Sequence, residues 1–312
     1  MRSALTSRST LLRILATALA LALMIFLLSQ QGWEQIAEAI GRIQLWRFLA
    51  ALLLMFLSRF FVLGRWHVLL RSGNVDSKIS QSARITFAGL FANNFLPSTV
   101  GGDLARLGGA LQLGFDGAVS AASLVADRVI GLLGMFMVLP IGLQKLLAFN
   151  GILPLSYSVP LALFASEAWL GKLLSRLKSL SQRVFKALKI WVNHPRALLA
   201  SLLFTLLHMT SLFSAIFVLL DGMGDSLSFA LIAGLWSLVY VITLLPFTIN
   251  ALGLQEVTIS FAFTQLGGVS AANSLVLALL IRTLFLITSL PGALFLSDVL
   301  PGITQARQKL DS

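Results

Sequence analysis

The sequence predicts an all-α, polytopic membrane protein. Of its 312 residues, 57% are hydrophobic and 11% are charged, whereas a soluble domain carries roughly 25% charged residues. The mean hydropathy of +0.91 also indicates a membrane protein. Several apolar stretches also reach the length of about 20 residues that a membrane-spanning helix needs. A chain with so few charges cannot cover itself with a polar surface, so its apolar excess must face lipid.

Six apolar stretches are predicted to span the membrane. A seventh, at 151–168, is weaker because it carries Pro154 and Pro160, although membrane helices tolerate proline better than soluble ones do. With the interrupted segments described below, the total is about 7–8 membrane segments. The six stretches are 11–28, 45–63, 124–143, 198–220, 227–247 and 275–296.

A basic stretch divides the single integral membrane domain, 1–312, into two hydrophobic halves. In this linker Leu and Val recur at helical spacing with Lys and Arg between them, which favours an amphipathic helix on the inner leaflet. A plain cytoplasmic linker is the alternative. The first half, the linker, the second half and the tail are predicted at about 1–168, 169–196, 197–300 and 301–312.

The net charge of +11 follows from the positive-inside rule, under which cytoplasmic loops collect Lys and Arg. We therefore expect a cytoplasmic N-terminus and no nucleic-acid partner, with the segments near Glu34 and Asp221 external. Arg2, Arg8 and Arg13 resemble the start of a signal peptide, but no small-residue cleavage site follows, so we predict an uncleaved helix. The basic clusters predicted to be cytoplasmic are 2–13, 65–84 (with Arg65, Arg71, Lys78 and Arg84) and 172–196.

Metal and thiol chemistry are not expected. The chain contains no cysteine, and its three histidines, His67, His194 and His208, lie far apart. Disulfides, thiol catalysts and cysteine-ligated metals are therefore excluded. A histidine-based metal site is not predicted either, and we expect no cofactor.

Each half contains an apolar segment that glycine and proline interrupt, at 85–110 and 244–266, and each segment is predicted either to cross the membrane as a broken helix or to be re-entrant. Both segments carry Leu-Pro, then a threonine, a glycine and an acid, and both precede a helix with one arginine. Such segments at matching places in two halves point to a transporter binding site and a pseudo-repeat. Chance similarity is the alternative, because Leu, Pro and Gly are common in membrane helices. The acid-to-arginine spacing is 25 residues for Asp103 and Arg128 and 26 residues for Glu256 and Arg282.

The first break carries residues suited to an anion. The two asparagines at 93 and 94, Pro97 and the glycine pair at 101 and 102 disfavour a continuous helix. A new helix near Asp103 would present free N–H groups and a positive dipole end to a phosphate. Asp103 is predicted as the N-cap, with Arg106 one turn along as its ion-pair partner. An ordinary interfacial turn is the alternative. The candidate headgroup-binding residues here are Asn94, Pro97, Ser98, Thr99, Gly101, Gly102, Asp103 and Arg106.

The second break follows the same logic. Pro246 ends one helix, Asn250 and Gly253 lie in the irregular stretch, and Glu256 opens the next segment. Glu256 could pair with an intramembrane arginine, bind a cation or titrate. A helix cap at the membrane interface is the alternative.

Arginines inside apolar stretches are the sharpest signals, since each costs at least about 2.5–3.5 kcal/mol at mid-bilayer and so needs a partner. Arg282 has no acid nearby in sequence, and Glu256 and Asp103 are its candidate partners. Asp127 and Arg128 are expected at the start of an apolar helix, either as a cap and topology signal or facing a cavity.

Two further candidates are less distinctive. Arg59 lies in the apolar run 56–63, where it could face a cavity or snorkel toward the inner surface. His208 lies in the middle of a predicted helix, where it either packs with a hydrogen bond or relays protons.

Three blocks of the chain, FANNFLPSTVGGDLARLGGAL, SLVADRVIGLLG and LPFTINALGLQE, resemble the flippase-like domain of the lysylphosphatidylglycerol synthase transmembrane family. The resemblance runs from the first helix to about residue 298. In two-domain members this region is credited with translocating an aminoacylated phospholipid that a cytosolic transferase domain makes. Since no such transferase sequence follows here, the resemblance implies a stand-alone translocase-like domain and leaves its lipid open. The family's motif residues fall on Asn94, Leu96, Pro97, Gly101, Gly102, Asp103, Arg106, Asp127, Arg128, Gly131, Pro246, Gly253 and Glu256.

We therefore expect a flippase or transporter for a polar- or anionic-headgroup lipid (a phospholipid, an aminoacyl-phospholipid or an isoprenoid-linked lipid) in the cell inner membrane. The alternatives are a membrane-embedded lipid-modifying enzyme, for which no catalytic motif is found, and an accessory scaffold of a lipid-synthesis complex. The expected partners are membrane lipids. A second copy of the chain and a lipid-synthesis enzyme are the candidate protein partners.

Overall fold

The computed structural model describes residues 33–94, 101–149, 193–244 and 251–297, together with 22, 24–26, 29, 191 and 299. Among these residues every regular element is a helix and none is a strand, so the predicted all-α class is confirmed. The predicted segment 151–168, most of the span 11–28, nearly all of the linker 169–196 and the tail 301–312 lie outside the described residues.

Nine α-helices carry the described part of the chain. We number them in chain order as α1 Trp33–Gly41, α2 Leu45–Ser72, α3 Ile79–Ala92, α4 Gly101–Gln112, α5 Gly117–Leu147, α6 Pro195–Gly222, α7 Phe229–Thr243, α8 Leu254–Phe261 and α9 Ala271–Ser289. A π-helical turn, Ala262–Leu266, continues α8, and a 3₁₀ turn, Leu290–Phe295, continues α9.

Four of these elements are long and apolar enough to cross a membrane: α2, α5, α6, and α9 with its 3₁₀ turn. The chain is therefore a multi-pass membrane protein. α7 differs from prediction. It has 15 residues, so at 1.5 Å per residue it is about 22 Å long, shorter than the hydrocarbon core of about 30 Å. The predicted span 227–247 is thus not a full spanning helix in the described residues.

The two interrupted segments both have a helix end on one side and a helix start on the other. α3 ends at Ala92 and α4 begins at Gly101, while α7 ends at Thr243 and α8 begins at Leu254. Gly253 precedes α8 with φ +74°, in the left-handed region where glycine carries no steric cost. Residues 95–100 and 245–250, between these ends, lie outside the described residues.

The long helices α2 and α6 lie antiparallel along much of their length. Arg47 near the start of α2 pairs with Asp221 near the end of α6 at 2.5 Å. In the middle, Ser58 Oγ lies 2.7 Å from His208 Nδ1. Toward the other end, Gly64 lies against Phe204, where a Cβ would come within 2.7 Å of the phenylalanine ring. These three contacts fix the register of the central helix pair.

Glycines bring the flanking helices into backbone contact. A Cβ on Gly142 of α5 would collide with the carbonyl group of Gly234 on α7, and a Cβ on Gly234 would lie 2.6 Å from the amide nitrogen of Gly142. Gly292 in the 3₁₀ turn lies in the same way against the carbonyl group of Phe87 on α3. In a bilayer, helices associate by close packing rather than by exclusion of water, which is why small residues lie at such contacts.

Replacing Gly142 by alanine should destabilise the α5–α7 contact. The added methyl group has no space against the Gly234 backbone, and overpacking of this kind costs about 1–3 kcal/mol. We expect a lower thermal unfolding midpoint for the purified protein in detergent. Gly41→Ala is the matched control, because nothing lies within 4 Å of a Cβ there. Equal midpoints for the two variants would contradict the described contact.

Candidate functional site

Five charged side chains form a connected chain of ion pairs inside the helix bundle. Arg65 Nε donates to Asp127 Oδ1 at 2.6 Å, and Arg106 Nη1 donates to Asp127 Oδ2 at 3.1 Å. Arg106 Nη1 also reaches Asp103 Oδ1 at 3.3 Å, and Arg128 Nε donates to Asp103 Oδ2 at 2.6 Å. Three guanidinium groups thus face two carboxylates, so the network keeps one positive charge in excess.

The central residues of this network are almost completely buried. The exposed fraction is 2% for Asp127, 6% for Arg106 and 7% for Arg65. A buried charge is tolerated only when opposite charge and hydrogen bonds replace the lost hydration. Asp127 on α5 therefore holds α2 through Arg65 and α4 through Arg106. Arg106 also stacks over the Trp66 ring, with 4.4 Å between the guanidinium carbon and the ring centroid.

Two cavities of about 220 and 210 Å³ adjoin the network. They share a wall, because the same five residues line both: Arg59, Asn93, Arg128, His208 and Tyr240. We call them the aromatic lobe and the charged lobe. Beyond the shared wall, the charged lobe is lined mainly by Arg65, Thr86, Gly102, Asp103, Arg106 and Asp127. The aromatic lobe is lined mainly by Met135, Leu212, Trp236, Thr243, Gln255 and Phe285.

Arg59 brings a fourth guanidinium group to the cavity. It lies over the ring of Phe285, with 4.5 Å from its guanidinium carbon to the ring centroid. No carboxylate within the described part of the chain forms an ion pair with it. With Arg65, Arg106 and Arg128 against two aspartates, the lining of the cavity carries two positive charges in excess.

Several hydrogen-bond donors in these walls have no acceptor among the described residues. They are Nε and Nη2 of Arg106, the hydroxyl of Thr86 and the indole N–H of Trp236. Leaving a buried donor unsatisfied costs about 1–3 kcal/mol, and more for a charged group. The excess of positive charge in the cavity lining suits an anion that accepts several hydrogen bonds from guanidinium groups.

The arrangement depends on glycines at the crossing of α3 and α4 and on α5. A Cβ on Gly89 would lie 2.6 Å from Cγ of Arg106, and a Cβ on Gly102 would lie 2.8 Å from the carbonyl oxygen of Gly89. On α5, a Cβ on Gly131 would lie 3.0 Å from Nη1 of Arg65. The missing side chains make room for the two arginines that bind Asp127.

Glu256 and Arg282, the acid and the arginine of the second half, form an ion pair that is separate from this network. Glu256 Oε1 accepts from Arg282 Nε at 2.5 Å, and Arg282 Nη2 donates to the carbonyl oxygen of Ala251 at 3.4 Å. Of the two partners expected for Arg282, the structure has Glu256. Neither residue of the pair is among those that line the two lobes. Glu256 is 3% exposed, and its second oxygen has no described partner.

The remaining predicted residues are placed as follows. Asn94 donates to Ser289 Oγ at 2.8 Å and so ties the end of α3 to α9, outside the lobes' linings. Gly101 is buried in α4, and Gly253 is the residue before α8. His208 lies in the shared wall and contacts Ser58, which satisfies the packing alternative and leaves proton relay a prediction. Pro97, Ser98, Thr99, Pro246 and Asn250 lie outside the described residues.

Two local predictions were wrong. Asp103 is not the N-cap of α4, since the helix already includes Gly101 and Gly102 and the carboxylate binds arginines instead of backbone N–H groups. Asp127 and Arg128 do not start a helix either. α5 begins at Gly117, and Asp116 caps it by accepting from the Val119 amide at 2.8 Å. The capping alternative for Asp127 and Arg128 is therefore excluded.

Arg65 is the main site residue that was not predicted from the sequence. From the sequence it is placed in the cytoplasmic basic cluster 65–84. α2 continues to Ser72, so Arg65 lies well inside the helix rather than beyond its end. The sequence does indicate that the helix continues past Arg65. The apolar residues Val68, Leu69 and Leu70 follow Arg65, so the apolar stretch does not end at residue 63.

Asp127→Asn should be among the most destabilising single changes in the chain. It removes the negative charge that compensates Arg65 and Arg106, and breaking a buried ion pair in this way costs about 3–5 kcal/mol. We expect a large loss of monodisperse protein in detergent. Adding Arg65→Met to the variant should restore part of the yield, because it removes one uncompensated cation.

Asp116→Asn is the control for the Asp127 variant, since asparagine and aspartate cap helices about equally well. A yield that falls as much in this control as in Asp127→Asn would contradict a special role for the buried pair. Failure of the Arg65→Met addition to raise the yield would argue against charge compensation.

Comparison with known proteins identifies the family of the chain. No curated protein matches the chain significantly. The family model described as the lysylphosphatidylglycerol synthase TM region matches residues 13–292, a range that includes every described residue of the ion-pair network. The chain belongs to the lysylphosphatidylglycerol synthase transmembrane-region family.

Proposed function

We propose that this protein is a flippase-like lipid transporter of the cytoplasmic membrane that moves lipids with a polar or anionic headgroup. The observation that carries the proposal is the cavity inside the helix bundle, where four arginines face two aspartates. Arginines at membrane depth are expensive and face the bundle interior or a substrate path. Membership in a lipid-related membrane family supports the same function.

The size and chemistry of the cavity suit a headgroup rather than a whole lipid. The lobes of about 220 and 210 Å³ are small compared with a lipid, so the acyl chains would stay in the bilayer. Guanidinium groups bind phosphate oxygens bidentately. A headgroup phosphate would therefore exchange its hydration for contacts with Arg59 and Arg128, which lie in both linings.

The state of the aspartates favours transport over catalysis. Both oxygens of Asp127 and both oxygens of Asp103 accept hydrogen bonds from arginines. A carboxylate held in this way is a poor general base, because its lone pairs and its charge are already engaged. The two aspartates thus act as holders of arginines in our proposal, and the arginines meet the substrate.

We also propose that the two halves are inverted repeats. α2 and α6 each have 28 residues, and the short helices that follow have 14 and 15 residues. Asp103 and Glu256 are each the third residue of the next helix, and each pairs with an arginine 25 or 26 residues later. The turns before α5 and α9 each contain a glycine with φ near +75°, at Gly114 and Gly268.

The central contact of the bundle supports this symmetry. Ser58 and His208 contact each other and are 150 residues apart, the same offset that separates Leu45 and Pro195, where α2 and α6 begin. Equivalent positions meet only at a two-fold axis. Because α2 and α6 are antiparallel, that axis would lie in the membrane plane. Transporters with this symmetry work by rocking of one repeat against the other.

The repeat proposal predicts the sides on which two loops lie. Asp76 and Ser226 are exposed and follow α2 and α6 at equivalent places. Since the chain contains no cysteine, Asp76→Cys and Ser226→Cys each give one labelling site. We expect a membrane-impermeant maleimide to label position 76 from the cytoplasmic side and position 226 from outside. Labelling of both positions from the same side would contradict inverted repeats.

Arg59→Gln should reduce translocation without unfolding the protein. Arg59 has no described ion-pair partner, so its removal strands no buried carboxylate, while the cavity loses a cation that a phosphate would contact. We expect at least a 10-fold slower movement of fluorescent anionic lipid in proteoliposomes, equivalent to about 1.4 kcal/mol.

Arg42→Gln is the matched control for the Arg59 variant. It removes the same charge from an exposed ion pair with Glu38, in which the arginine side chain is 54% exposed. Its translocation rate should equal that of the wild type. Equal translocation rates for the Arg59 variant and the wild type would contradict a role of the cavity in lipid transport. Absence of movement of any lipid by the wild type would favour an enzyme or scaffold instead.

A further inference from the structure

We infer that the transported lipid carries a phosphate followed by an uncharged, hydroxyl-bearing group, and that headgroups ending in an ammonium group are rejected. This inference rests on the proposed function and adds the class of substrate. It follows from three properties of the cavity: the engagement of its carboxylates, the occupation of its aromatic face and the uncharged polar lining of the aromatic lobe.

The first property is that the cavity offers no free carboxylate within the described residues. Its two acids, Asp103 and Asp127, give all four oxygens to arginines. An ammonium group entering the cavity would meet two excess positive charges and no anionic partner. Like charges brought together in a cavity of low dielectric constant repel strongly, which is an effective way to reject a cationic competitor.

The second property is that the aromatic surface is already used. Ammonium groups can also bind over aromatic rings, and the aromatic lobe contains Trp236 and Phe285. However, the guanidinium group of Arg59 lies 4.5 Å from the centroid of Phe285. Trp236 packs against the same Phe285 ring with an interplanar angle of 85° and 6.3 Å between centroids. The protein's own cation therefore lies at the Phe285 ring, which an ammonium group would otherwise contact.

The third property concerns what the aromatic lobe can bind. Its lining includes the side chains of Tyr240, Thr243 and Gln255, which are polar and uncharged. The lobe's 220 Å³ is about seven times the volume of a water molecule in the liquid. This is enough for a glycerol-sized group, whose hydroxyls both donate and accept hydrogen bonds.

The two lobes then divide the headgroup between them. Arg59 and Arg128 lie in the shared wall, and the Arg128 side chain is 39% exposed, so a phosphate there would be reached by both guanidinium groups. The hydroxyl-bearing group beyond the phosphate would enter the aromatic lobe. Tyr240, Thr243 and Gln255 are thus assigned as residues that determine specificity.

The test compares four fluorescent lipids with the same acyl chains in proteoliposomes of the full chain: phosphatidylglycerol, phosphatidic acid, phosphatidylcholine and lysylphosphatidylglycerol. We expect phosphatidylglycerol to move at least 10-fold faster than the two lipids that carry a cationic group. If lysylphosphatidylglycerol moves as fast as phosphatidylglycerol, the inference about the headgroup is overturned, but the proposed translocase function is not. No movement of any of the four would overturn the proposed function and this inference with it.

A variant of Gln255 tests the aromatic lobe separately. Gln255→Leu removes an amide group that can donate to and accept from a hydroxyl, and it keeps a side chain of similar size. It should lower the ratio of the phosphatidylglycerol rate to the phosphatidic acid rate, because phosphatidic acid has no group beyond its phosphate. Gln144→Leu is the control, since Gln144 is exposed and lies outside the cavity lining. Equal slowing of both lipids by Gln255→Leu would overturn the assignment of Gln255 to specificity.

Discussion

The ion pairs of Asp127 are the interaction on which the rest of this structure depends. A single carboxylate on α5 compensates two buried arginines, one from α2 and one from α4. In a bilayer there is no water to compensate any of these charges, so the three helices must stay together for any of them to be tolerated. The same network holds Arg106 and, through Asp103, Arg128 at the wall of the cavity. The same ion pairs therefore stabilise the helix bundle and form the candidate site.

Close helix packing sets where this network can form. Gly89 and Gly102 let α3 and α4 meet at backbone distance, and Gly131 leaves space for the guanidinium group of Arg65. A larger side chain at any of these positions would push an arginine away from its carboxylate. Among the glycines of the family-like blocks, contacts with other helices explain Gly102, Gly109, Gly131 and Gly134, and a left-handed backbone conformation explains Gly253.

The proposed repeats share a backbone plan but differ in charge. By the offsets of their helices, the positions that correspond to Arg65, Arg106 and Asp127 hold Ala215, Ile259 and Ile281. Within the described ion-pair network, the pair of Asp103 and Arg128 has a counterpart in the pair of Glu256 and Arg282. This difference accompanies a charged lobe and an aromatic lobe, and in our proposal the two lobes bind chemically distinct ends of a headgroup. A symmetric site could not distinguish the two ends of a headgroup.

The sequence by itself determined the membrane class, the two interrupted segments and most of the charged residues near the cavity, because apolar length and a lone intramembrane charge are properties of the local chain. It also limited the partner of Arg282 to two acids. Only the tertiary structure decided that Arg65 joins Asp127, that Glu256 and Arg282 lie apart from the cavity lining and that Tyr240 and Trp236 belong to that lining. Those facts depend on how α2, α5 and α7 cross, and crossing is set by contacts between residues far apart in sequence, which no local pattern records.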